Sequence, residues 1–117
     1  MTDSIVSMVT EAFELQDWIR GTSTGGIEPV RNVLKVDVEN KGEETRVTVS
    51  WDYPETCGLS DCVYHVVDPH AVRKSVFVYK QNSLALEGGQ LFDEQDLFFR
   101  ESRDKVDQFY KKHRLTR

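Results

Sequence analysis

The sequence predicts an α+β domain of order α-β-β-β-β-α, an antiparallel sheet with an N-terminal and a C-terminal helix packed on one face. Three observations predict it. Residues 3–20 and 93–113 carry apolar residues at the helical period. Residues 33–53 alternate apolar and polar side chains with period two. The chain, residues 1–117, is long enough for one domain with its own core and shows no internal repeat or linker.

In the first helix, Ile5, Met8, Val9, Ala12, Leu15 and Ile19 form one stripe, which Phe13 and Trp18 widen. Thr2 or Asp3 suits the N-cap, and Gly21 suits a left-handed stop. GTSTGGIEPV then reads as a loop.

The hairpin 33–53 follows. Leu34, Val36 and Val38 oppose Lys35, Asp37 and Glu39, and Val47, Val49, Trp51 and Tyr53 oppose Arg46, Thr48, Ser50 and Asp52. Such alternation predicts one packed face and one wet face. Asn40 and Gly42 suit the turn between the strands.

CVYHVV, 62–67, is short and β-prone, and Pro69 ends it. VRKSVFVYK, 72–80, is the fourth predicted strand, with Val76 and Val78 on one side and Phe77 and Tyr79 on the other. The last helix runs from about Asp93 to His113, with Phe99, Ser102, Val106, Phe109, Tyr110 and His113 on one face. Acids crowd its start and bases its end, as the helix dipole favours.

The net charge is −5. Residues 1–60 hold eleven acids and five bases, whereas the tail 111–117, KKHRLTR, holds four bases and no acid. That tail is expected to be solvated. An acidic domain is a poor generic binder of nucleic acid. No apolar run approaches the roughly 20 residues that cross a bilayer. The acidic N-terminal stretch lacks the basic leader of a signal peptide, so a cytoplasmic protein with reduced cysteines is expected.

Four metal-type side chains fall in fourteen residues: Cys57, Cys62, His65 and His70. Zinc needs four such ligands converging in a tetrahedron. Odd spacing on a strand sends Cys62 and His65 to opposite faces, which favours an ordinary strand over a zinc site. A nucleophilic Cys57 would need a nearby cation, but Glu55 and Asp61 flank it.

The stretch RGTSTGG offers Arg20, Thr22, Ser23 and Thr24 to an anionic ligand or nucleotide. It lacks the lysine and the strand-to-helix setting of a phosphate loop, so a connector is the stronger reading. Phe77 and Tyr79, beside Arg73 and Lys80, have the pattern of a base-stacking platform, but core or dimer-interface aromatics fit better.

WDYPET and LFDEQDLFF mix aromatic and acidic residues. Phe92, Leu97 and Phe98 cannot all join the stripe of Phe99 and Val106, so at least one points elsewhere, either closing the core over the second helix or forming an apolar cluster ringed by acids at the surface.

No acid/base pair, nucleophile or cofactor fingerprint stands out, and no cofactor is expected. The expected function is a non-enzymatic protein-binding module of accessory, inhibitor or immunity, or adaptor type. Its expected contacts are Trp51, Tyr53, Phe77, Tyr79, Phe92 and Phe98, toward a partner with a basic patch or a second copy. The alternatives are an anion or nucleotide binder at 21–26, and a zinc-stabilised or nucleic-acid-binding module.

Overall fold

The computed structural model describes residues 2–25, 30–53 and 70–117. Helix α1 spans Thr2–Ser23 and α2 spans Arg100–Lys112. Between them lie β1 (Asn32–Lys41), β2 (Glu44–Asp52), β3 (Arg73–Lys80) and β4 (Ser83–Leu86). A single 3₁₀ turn, Glu94–Asp96, precedes α2. The strands form one antiparallel sheet in the order β1-β2-β3-β4. The predicted class and the helix–four strands–helix order hold.

One strand differs in identity. The predicted strand 62–67 lies outside the described residues. The fourth described strand is β4, joined to β3 by the two-residue turn Gln81–Asn82. Both turn residues have positive φ, 48° and 61°, as a type I′ hairpin requires. The sequence hides this turn because only Asn82 is a residue that favours such a backbone, and SLAL is short.

The β1–β2 turn is legible. Lys41 pairs with Glu44, which leaves Gly42 and Glu43 as the loop. Gly42 has φ 63° at the first central position, where a side chain would add strain.

Sheet register places the core. Val38 pairs with Val47, Val47 with Phe77, and Phe77 with Leu86. This row crosses all four strands on one face. Val9, Ala12, Phe13 and Ile19 of α1 and Val106 and Phe109 of α2 close over that face in a single cluster. The Phe13 ring meets Phe77 and Trp51 edge-on, at 6.4 and 6.3 Å, so one helix residue grips two strands. Burying a side chain of this size is worth roughly 2–3 kcal/mol.

Phe77 is fully buried. It is therefore core, and the expectation that it contacts a partner is corrected. Phe92 is also buried, edge-on to Phe109 at 5.7 Å, and leaves the partner-contact set for the same reason. Helix cover decides this: both rings face the side on which the helices sit.

Three local readings also change. Helix α1 passes through Gly21 and ends at Ser23, and the residue with left-handed backbone is Gly25, φ 72°. The segment 93–99 is not part of the last helix. Asp93 caps only the 3₁₀ turn, accepting from the Gln95 amide at 3.0 Å. Phe99, with extended backbone, is the N-cap of α2, so it drops out of the predicted helical face. Finally, β1 is not half-packed, since Val38 alone among its residues is partly buried. The alternation breaks at Leu34, an extra residue between the pairs Val33–Trp51 and Lys35–Ser50.

The helices are clamped to each other by Glu11. Its carboxylate accepts from His113 Nε2 at 2.8 Å and from Lys112 Nζ at 3.1 Å. Burial alone would raise the Glu11 pKa, but the hydrogen bonds and charges of His113 and Lys112 outweigh it and hold the group below its usual value. The basic C-terminus is tied down too. Leu115 is buried, the Thr116 amide donates to the Asn82 carbonyl at 2.7 Å, and Arg117 pairs with Asp107 and lies over the Tyr110 ring.

Candidate functional site

Among the described residues, the most exposed aromatic side chains lie at the corner that carries the chain from the 3₁₀ turn into α2. Once Asp93 has capped that turn, the chain must change direction before Arg100 begins α2. Leu97 packs inward against the core. Its two neighbours are left outside: Phe98 is 77% exposed and Phe99 43%. The two rings meet edge-on, 5.2 Å between centroids, a favourable aromatic geometry.

The corner is held from behind. Arg103 Nη1 donates to the Leu97 and Phe98 carbonyls at 3.0 and 2.8 Å. Ser23 at the end of α1 donates to Asp96 Oδ1 at 3.1 Å. These bonds hold the backbone that presents the rings. Between residues 93 and 104 five acids stand against two bases. The result is an aromatic pair on an acidic rim.

The other expected partner contacts are placed differently. Trp51 is half-buried and donates from Nε1 to Ser75 Oγ at 2.9 Å. Tyr53 is edge-on to Trp51 at 5.1 Å, with the Arg73 guanidinium 5.1 Å above its ring. Tyr79 is half-buried on the core face and donates to Asn82 Oδ1 at 3.1 Å. Trp51 and Tyr79 pack against the core, and of the six expected residues Phe98 alone stands fully outward.

Sequence reasoning passed over Arg31. Its side chain is 95% buried and sandwiched: the guanidinium carbon is 3.6 Å from the Phe13 ring centre and 5.1 Å from that of Trp51. It donates to Asp17 Oδ1 at 2.7 Å, and to the Phe13 carbonyl and Gln16 Oε1 at 3.0 Å each. Burial pushes its pKa down, while the Asp17 charge pulls it back up. Its place just before a strand, in reach of Phe13 and Trp51, gives no signal in a single sequence.

The residues expected to hold an anion sit at the C-terminal end of α1, where carbonyls point outward. Thr22 donates to the Trp18 carbonyl, and Thr24 and Ser23 to that of Arg20. Arg20 donates to Asp17 at 3.1 Å. The negative end of the helix dipole repels an anion. A cavity of about 290 Å³ lies beside these residues, and it pairs Arg20 and Arg31 with Asp93 and Asp96. Its lining carries no net sign.

Cys57, Cys62 and His65 lie outside the described residues. His70 is 65% exposed, with Nδ1 3.9 Å from Asp52 Oδ2. Among the described residues no cluster of three metal-type side chains forms, and no helix is long and apolar enough to cross a membrane.

A second apolar surface runs along β1. Val33 and Leu34 are nearly half exposed and Val36 more than a third, with Val30 beside them. Between this strand and α1 lies a groove of about 580 Å³ lined by Phe13, Trp18, Val30, Arg31 and Val33. The consecutive pair Val33–Leu34 breaks strict alternation and is the sequence signal that marks the bulge.

Comparison with known proteins finds no matching family model, no matching curated protein and no matching solved structure.

Proposed function

We propose that this protein is a non-enzymatic protein-binding module, of accessory, inhibitor or adaptor type, anchored by Phe98 and Phe99. The observation that carries the reading is the 77% exposure of Phe98 on a backbone held by Arg103. A large ring left in water by a fixed corner is costly unless something covers it. Binding hot spots have this form: rigid aromatic anchors with a polar surround. The acidic rim steers the corner toward a protein whose apolar pocket is edged with lysine or arginine.

The test is capture from native lysate with wild type and Phe98→Ala in parallel, read by mass spectrometry and then by titration of the recovered partner. A stoichiometric partner is expected, weakened at least tenfold by Phe98→Ala and weakened again by salt. Equal recovery by both proteins would refute the assignment of the corner, and failure to recover any stoichiometric partner would refute the reading as a whole.

A further inference from the structure

We infer that the protein also self-associates through β1, forming a two-fold dimer in which two four-stranded sheets join edge to edge. The surface is separate from the Phe98 corner, and the inference does not rest on that reading.

Strand β1 is ten residues long and lies at the edge of the sheet. Among the described residues nothing pairs with its outer side. An edge strand presents alternate N–H and C=O groups that a second strand can take up. Edges of this length are usually shortened or interrupted. Here the edge is continuous from Lys35 to Lys41, and its apolar residues Leu34 and Val36 stand exposed.

Charge selects the occupant and the register. Lys35 and Asp37 project from the wet face, each more than half exposed and 3.5 Å from each other. In an antiparallel pairing centred on Val36, each Lys35 lies opposite the Asp37 of the second copy. Val36 meets Val36. Directly opposed side chains on a sheet sit close enough for such pairs to count. Centring on Asp37 would set that carboxylate against itself between two Lys35–Glu39 pairs, a like-charge contact that the Val36 register avoids. Centring on Val38 would set Asp37 against Glu39 and Lys35 against Lys41. Both registers oppose like charges and are disfavoured.

A row of lysines alone would guard the edge against any partner. The alternation of Lys35 with Asp37 is instead self-complementary. The bulge at Leu34 ends regular pairing on one side, and β4, the opposite edge, is only four residues long. The assembly therefore closes at two copies and does not extend. A strand pair of this length gives a small interface, so the expected dimer is of micromolar affinity.

The test is sedimentation of the full chain from low micromolar to near-millimolar concentration. It is run on wild type, Lys35→Glu, Asp37→Lys and the double swap, with circular dichroism to confirm folding. Wild type is expected to show a monomer–dimer equilibrium. Each single swap should weaken it at least tenfold, and the double swap should restore it to within about threefold, because the opposed pair is attractive again. A wild type that stays monomeric throughout would overturn the inference. So would a dimer indifferent to the single swaps, or one that the double swap fails to restore. Amide exchange on wild type needs no variant. Protection of outward β1 amides that rises with concentration supports the pairing, and protection independent of concentration contradicts it.

Discussion

The centre of the sheet and the corner before α2 are both rich in aromatic side chains, and the structure treats them in opposite ways. Phe77 has no exposed surface, whereas Phe98 has 77% of its surface in water. Their chemistry is the same, so composition could not separate them. The difference lies in cover. Phe77 faces the side of the sheet on which Phe13 and the two helices close. Phe98 lies where the chain turns away from that layer, and the bonds from Arg103 keep it there. A surplus of aromatics thus marks either a core or an exposed corner, and backbone direction decides which.

The largest expected effect breaks this comparison at its inner end. Phe77→Ala should cost about 3–5 kcal/mol of stability in urea unfolding, the range for deleting a buried ring, while Phe98→Ala should stay within about 0.5 kcal/mol. A costly Phe98→Ala would mean that its ring is structural.

Arg31 comes next. It joins α1 to the strand side of the fold through Asp17, Gln16 and two aromatic faces. Arg31→Ala removes a buried guanidinium and should cost about 3 kcal/mol by thermal or urea unfolding. Lysine should not rescue it, because it lacks the planar fork that stacks and bonds at once.

A smaller effect should have the opposite sign. Ser102 is fully buried on α2, and among the described residues its hydroxyl has no hydrogen-bond partner. Ser102→Ala removes an unsatisfied polar atom at nearly constant shape and should raise stability by about 1 kcal/mol.

The smallest effect is pH-dependent. Burial would raise the Glu11 pKa, but His113 and Lys112 hold it below the ordinary glutamate value in the folded state. Its contribution is therefore present above that value and is lost as pH falls through the folded pKa. Glu11 is partly exposed, so the contribution is on the order of 0.5 kcal/mol after solvent screening. Wild type should exceed Glu11→Gln by that margin at neutral pH, and the two acid unfolding curves should converge as pH falls through the lowered Glu11 pKa.

Much of the fold was legible because its signals are periodic. The stripe from Met8 to Ile19 and the alternation from Val47 to Trp51 each name a buried face, and both faces are in the core or against it. What was hidden depends on single residues. The β3–β4 turn uses Gln81 in a conformation its side chain does not advertise. Gly21, a plausible stop, was overridden because Thr22 bonds back to the Trp18 carbonyl and the helix continues. The contact surface was half legible. The LFDEQDLFF stretch announced that at least one apolar residue leaves the helical stripe, and it named Phe98 together with Phe92; only the start of α2 at Arg100 separates the exposed ring from the buried one. The packed face expected of β1 was misread, since period two reports that two faces exist and not that either is covered.

Hydroxyl-radical footprinting of the free protein and of its complex with the captured partner compares the two regions in one experiment. Phe98 should oxidise readily when free and be protected several-fold in the complex, with Phe77 silent in both states. Undiminished oxidation of Phe98 in a saturated complex would contradict its role as the anchor.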